Sequence, residues 1–273
     1  MRLPRSVPAA VLLAALAAAA GRPQVDALPP LPPLTERALA ERYAASGWPG
    51  RQFLAISRKG DGQAIEVVGD LASARTIVVY VPGSGQSLRS FDGSYEGPGL
   101  AARALHGEAA AIEPRTAVIG WLGYDPPDLI NPEILTTWPA ERGAGRLRAF
   151  VRALPGRARI GLVCHSYGSV VCGRAVAGLR VSDLVVTGSP GLGAGTAGEL
   201  GTRARVWAGL GSRDDVWRPG VSLGPFGFGA DPVSPGFGAR VFDAGDARHG
   251  TYLRPGSATL KRIARIAVTG SAG

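Results

Sequence analysis

In residues 159–179, RIGLVCHSYGSVVCGRAVAGL, a short apolar run passes directly into a segment of helical period. The run 159–163 has the length and unbroken apolarity of a strand buried on both faces. The stretch after it repeats Val, Ala and Leu at helical spacing. At the junction stands Cys164-His165-Ser166-Tyr167-Gly168. A serine on a tight strand-to-helix turn holds its hydroxyl above the sheet, and the next backbone N–H, that of Tyr167, is aimed at an oxyanion forming there. Ser166 is therefore the candidate nucleophile. The competing reading is a buried structural serine at an ordinary connection. The pattern for such an elbow is Gly-x-Ser-x-Gly, and here Cys164 takes the place of the first glycine.

Outward from this turn the chain alternates strands and helices. Apolar runs at 76–81, 116–121, 183–187, 205–210 and 239–242 join 159–163 as strands. Segments 99–108, 143–153, 167–179 and 258–266 carry helical periodicity. Such alternation predicts a mainly parallel sheet covered on both faces. Ahead of it, runs 53–57 and 64–68 flank Lys59-Gly60-Asp61-Gly62, whose Asp-Gly chemistry predicts a hairpin, and 35–46 reads as a short helix capped by Thr35. Two irregular stretches, 124–140 and 218–238, follow strand C-termini, where open α/β sheets bind ligands. Phe226, Phe228 and Phe237 in the second are either an acyl-binding wall or anchors that pin the loop.

The leader has its own character. Arg2 and Arg5 precede an apolar stretch at 7–20, and small residues follow. Residues 1–27 thus read as an export signal, too short in their apolar part for the roughly 20 residues of a span; an uncleaved anchor is the alternative. Residues 28–34 read as a Pro-rich linker, and 35–273 as one folded domain. The localisation expected is secreted or associated with the cell envelope. In that setting Cys164 and Cys172 either pair or remain two small buried thiols. The net charge of +9 comes from scattered arginines without any recognition motif, so no nucleic-acid role is expected. It does suit weak association with an anionic envelope.

A nucleophilic serine needs a base, and the chain has 3 histidines. His165 is adjacent to Ser166 and poorly placed to reach back, and His106 lies in an Ala-rich helical segment. His249, after the last strand-like run, remains. The acid belongs after the run 205–210, where Asp214 and Asp215 are both candidates; Asp231, Asp243 and Asp246 lie in or near turns. Pro82-Gly83-Ser84-Gly85-Gln86, after the strand 76–81, supplies glycines that let backbone N–H groups approach a substrate oxygen. Gly83 and Ser84 are the expected second half of an oxyanion hole. A phosphate loop is the rival reading, but the third glycine and the Gly-Lys-Ser/Thr signature are missing. No metal-ligand spacing occurs, and no cofactor is expected.

Val81-Pro82-Gly83, Trp121-Leu122-Gly123-Tyr124-Asp125, the elbow through Ser169, Gly188-Ser189-Pro190-Gly191 and the run from His249 through Tyr252 appear in that order. Over residues 53–266 the chain resembles an actinobacterial α/β-hydrolase family labelled a domain of unknown function, whose elbow is typically Gly-His-Ser-Tyr-Gly. The resemblance implies an α/β-hydrolase fold, a mostly parallel sheet with an N-terminal antiparallel hairpin and helices on both faces. It also implies a triad of Ser166, an acid and His249. In the family the acid follows Trp-Ala-Gly by a few residues, which points to Asp214, with Asp215 the alternative. The activity expected is a serine hydrolase of carboxylic esters acting through an acyl enzyme on a small-molecule or lipid-like ester. An acyltransferase or amidase on the same residues, or an envelope-binding protein without catalysis, are the alternatives.

Overall fold

The computed structural model describes residues 28–129, 132–216 and 228–273. The predicted export signal at 1–27 and Phe226, read as either wall or anchor, lie outside the described residues. Strands β1 (Gln52–Ser57) and β2 (Gln63–Val68) form the expected hairpin, its turn closed by the Gly62 N–H donating to the Lys59 carbonyl at 3.1 Å. β2 runs antiparallel to β4 (Thr116–Leu122). The remaining strands, β3 (Thr76–Val81), β5 (Arg159–His165), β6 (Asp183–Thr187), β7 (Arg205–Gly209) and β8 (Arg240–Val241), all pair in parallel. The order across the sheet is β1-β2-β4-β3-β5-β6-β7-β8. Every residue of β3 and β4 is buried, which is why those runs are apolar without alternation. β8 keeps two exposed residues of the predicted run 239–242, a short edge that offers little to a foreign strand.

Helices α2 (Pro98–Ile112) and α5 (Ala258–Thr269) pack together on one face of the sheet, and α3 (Trp138–Ala153) and α4 (Gly168–Ala175) on the other. α2 opens on Pro98, whose missing N–H costs nothing in a first turn, and buries Ala101, Ala102, Leu105 and Ala109. α5 opens on Ser257, which accepts the Leu260 N–H at 3.1 Å, and turns Leu260, Ile263, Ala264 and Ala267 inward. α1 (Glu36–Ala44) is capped by Thr35, as its sequence predicts. Leu28, Leu31 and Leu34 of the Pro-rich segment pack against the sheet, so 28–34 lies on the body of the domain.

At the N-terminal end of the strands Asp183 is fully buried. Its charge is met by Arg159, by Arg205 Nε at 2.8 Å and by the Trp207 indole N–H at 3.0 Å. Two of the arginines behind the high net charge thus fix the sheet, far from the end where loops gather.

Cys164 lies near the end of β5 and Cys172 on α4, with Cα atoms 6.6 Å apart, and the structure joins them in a disulfide. Both are buried in the core layer beneath α3 and α4. Closing so short a loop is worth about 2.5 kcal/mol by chain entropy. The Cys164→Ser, Cys172→Ser double variant should lose about that much stability in urea unfolding, with little change of slope.

Candidate active site

Ser166 sits at the sharpest point of the turn between β5 and α4. Its φ is +52°, and no other non-glycine among the described residues has a positive φ. Such a conformation costs about 1–2 kcal/mol for a residue with a Cβ, and the neighbours hold it there. The Ser166 N–H donates to the Thr187 carbonyl at 3.0 Å, and its own carbonyl accepts from Ser169 at 2.9 Å. Gly168 makes the tight return feasible, because a Cβ at that position would stand 2.6 Å from the Val81 carbonyl oxygen. α4 is thereby drawn against the end of β3.

The hydroxyl so presented meets His249. Ser166 Oγ lies 2.9 Å from His249 Nε2, and His249 Nδ1 lies 2.9 Å and 3.1 Å from the two carboxylate oxygens of Asp214. Asp214 is buried and Asp215 is exposed, so the doubled acid resolves to Asp214 as the one facing the imidazole. Burial opposes ionisation of Asp214. The hydrogen bonds from His249, Tyr252 and the Val216 N–H outweigh it and hold its carboxyl below the usual range. The rival carboxylates serve turns: Asp231 accepts from the Val233 N–H, Asp243 from the Gly245 N–H, and Asp246 approaches Arg213. His106 packs in α2 at the opposite end of the sheet, against Gly69 and the start of β4.

The loop after β3 closes over the serine. Gly83 is in such close contact that a Cβ there would stand 2.7 Å from Ser166 Cβ and 3.1 Å from Ser166 Oγ. Only a glycine lets this backbone come so near. The loop is held by the Tyr124 hydroxyl donating to the Pro82 carbonyl at 2.7 Å and by the Gly85 N–H donating to Pro127 at 3.0 Å. Gly83 is buried and Ser84 half-buried, and Tyr167, next to Ser166, is the N-cap of α4. The candidate oxyanion donors, the backbones of Tyr167, Gly83 and Ser84, therefore flank one serine.

Comparison with known proteins fits this geometry. An alpha/beta hydrolase family matches residues 58–225. The chain belongs to the α/β-hydrolase family. Its relatives include the uncharacterized protein Rv2079 of Mycobacterium tuberculosis (strain ATCC 25618 / H37Rv), 30% identical over 246 residues, which cover 76% of this chain and 37% of that protein. The chain thus spans little more than a third of that relative's length. A second relative, the uncharacterized protein Mb0988c of Mycobacterium bovis (strain ATCC BAA-935 / AF2122/97), is 30% identical over 209 residues, covering 70% of this chain and 76% of that protein. Among solved structures, esterase PE8 is similar at 18% identity and a TM-score of 0.45, over 67% of this chain and 89% of that one. XC6422 from Xanthomonas campestris, described as an a/b serine hydrolase without lid, is similar at 15% identity and a TM-score of 0.47, over 81% and 95%.

Two side chains of this α/β hydrolase carry site geometry that the sequence reading gave no role. The Tyr252 hydroxyl donates to Asp214 Oδ2 at 2.7 Å and accepts the Gly211 N–H at 3.0 Å. It ties the acid to the end of β7 and to the histidine loop. Its place three residues after His249, in the run quoted for the family, was the available signal. Replacing Tyr252 with Phe should leave the fold intact and lower turnover about tenfold, the cost of one charge-assisted hydrogen bond. A comparison of kcat and melting temperature checks this. The other side chain is Glu96, next to His165 and His249.

Of the aromatic residues of the second irregular stretch, the described Phe228 and Phe237 are anchors. Phe228 and Phe237 are buried in the core, and Phe228 meets the Tyr167 ring edge-on at 5.9 Å. The Tyr167 hydroxyl donates to the Thr136 carbonyl at 2.6 Å and accepts the Ala140 N–H at 3.3 Å. The residue after Ser166 thus fastens the start of α3 and the 228–238 stretch to the elbow.

Proposed function

We propose that this chain is a secreted serine hydrolase that cleaves carboxylic esters with an apolar acyl group through an acyl enzyme. The observation that carries the reading is the unbroken hydrogen-bonded line from Ser166 Oγ through His249 to Asp214, with the serine held at a positive φ. In this reading His249 Nε2 takes the hydroxyl proton as Ser166 Oγ attacks the acyl carbon. Asp214 keeps the other ring nitrogen protonated and stabilises the imidazolium. The oxyanion is met by backbone N–H groups from Tyr167 and the Gly83-Ser84 loop. His249 then protonates the departing alkoxide, and a water activated by the same ring releases the acid.

The acyl preference rests on the rim. Tyr95, Leu129, Trp138 and Val216 are exposed apolar side chains, and all lie on segments that follow the C-terminal ends of β3, β4 and β7. Leu129 stands over Gly85 of the glycine loop. Exposed apolar side chains on segments that follow the strand C-termini suit a lipid-like ester. Export is supported by the leader and by the buried disulfide, which persists in oxidising compartments.

A fluorophosphonate probe and a p-nitrophenyl ester series of rising acyl length test the reading. Labelling is expected at Ser166, with kcat/KM rising from acetate to longer chains. Labelling without ester turnover, but with transfer to an added alcohol, would favour an acyltransferase, and no labelling would favour a binding protein. The mature N-terminus found in the culture medium by mass spectrometry tests export.

A further inference from the structure

Directly beside the Ser166–His249–Asp214 line lies a second acid–histidine pair. His165 is buried, with Nδ1 at 3.3 Å from Thr187 Oγ1 and Nε2 at 3.2 Å from Glu96 Oε1. The Glu96 contact lies off the line that a hydrogen bond needs, and neither of its two atoms has another hydrogen-bond partner. The His165 ring is 4.8 Å from that of His249 and 5.5 Å from that of Tyr252. Glu96 also abuts the histidine loop, since a Cβ on Gly250 would stand 3.0 Å from Glu96 Oε1. A buried polar pair left half-satisfied is costly and calls for an explanation.

The segment that carries Glu96 is fastened from several sides. Its carbonyl accepts the Tyr80 hydroxyl at 2.9 Å. Asp92, four residues earlier, is gripped by Arg51 at 2.7 Å and Arg103 at 2.5 Å. Gly97 and Pro98 then start α2. The backbone that carries the carboxylate is therefore fixed before any substrate arrives, which favours preorganised electrostatic stabilisation.

We propose that Glu96 is a positioning residue for His249: its carboxylate, wedged between His165 and the histidine loop, stabilises the imidazolium that activation of Ser166 creates. The inference rests on the serine-hydrolase reading. Burial opposes ionisation of Glu96, but His165 and His249 outweigh it and hold the carboxyl below its usual range, so the group is an anion at neutral pH. The groups around His249 are Ser166 and His165 from the elbow, Asp214 from the turn after β7, Tyr252, which acts through its hydrogen bond to Asp214, and Glu96 from the segment before α2. Two carboxylates thus serve one imidazole. Asp214 does so by direct hydrogen bond, Glu96 through the field and through His165.

The sign follows from the charge. Removing an anion makes the imidazolium less stable, so His249 gives up its proton at lower pH. Glu96→Gln should move the acid limb of the fluorophosphonate inactivation rate down by about one pH unit, the size expected of a partly screened neighbouring charge. The plateau should fall about tenfold, because the imidazolium of the transition state loses the same support. Glu96→Asp, which keeps the charge, should restore most of the limb. A purely structural role would lower the plateau and leave the limb where it was.

Histidine ring protons followed by NMR against pH give a readout independent of activity, since the chain has 3 histidines and a His106→Gln variant assigns one of them. The His249 resonance should titrate about one unit lower in Glu96→Gln than in wild type. Coincident titrations in the two proteins would overturn the inference even with Ser166 still labelled. Absence of labelling in wild type, with the NMR shift present, would sink the hydrolase reading and leave the Glu96–His249 coupling standing.

Discussion

Ser166→Ala is expected to abolish fluorophosphonate labelling and to lower ester hydrolysis by about 10⁴-fold or more, the range seen when the nucleophile of such a relay is removed. The substitution deletes only the Oγ that stands 2.9 Å from His249 Nε2. The remaining rate would come from the oxyanion donors and from binding. Stability should barely move, because Ala and Ser pay alike for the backbone at φ +52°. Ser166→Gly makes the point from the other side. Glycine adopts that conformation freely, so the variant should be equally dead yet more stable by about 0.5–1 kcal/mol, strain released less the extra chain entropy. A dead but stabilised protein would show that the turn is strained for the sake of the hydroxyl. Full labelling of Ser166→Ala would remove the serine from the mechanism.

The two adjacent aspartates should behave very differently. Asp214→Asn is expected to cost about 10³–10⁴-fold in kcat, because an amide opposite Nδ1 favours the wrong imidazole tautomer and leaves the imidazolium uncompensated. Asp214 also accepts from Tyr252 and from the Val216 N–H, so the variant loosens the turn after β7 as well. Asp215→Asn, at an exposed position, should stay within about threefold of wild type. Steady-state kinetics on one ester with both variants decides it. Equal small losses would place the acid elsewhere. The parent protein's buried carboxylate also carries a pH signature. Asp214 is held below its usual range, so the stability it adds is present above the unfolded carboxylate range and is lost as pH falls through the depressed folded value.

The residues differ in how far they could be read ahead of the fold. β3, β4 and β5 are continuous apolar runs because both faces are covered, and that property survives in one dimension. The elbow was equally legible, since the turn from β5 into α4 demands small residues at fixed offsets. His249 followed from chain order and from there being few histidines. Glu96 was invisible. It lies 69 residues before His165 in an irregular segment, and only the packing of α2 against the sheet brings the two together. Tyr252 was visible as part of a run but not as a partner of Asp214, because a phenol on a loop says nothing of where its hydroxyl points.

Along the chain alone, local period and turn constraints set the order of strands and helices and put a serine at the strand-to-helix turn. Only the packed fold turns Asp214 rather than Asp215 toward His249, joins Cys164 to Cys172 and brings Glu96 against His165. The physical reason is the same in each case. Which of two neighbouring side chains faces inward depends on the backbone of an irregular turn, and whether two distant groups meet depends on how helices lie on the sheet. Neither leaves a periodic trace along the chain.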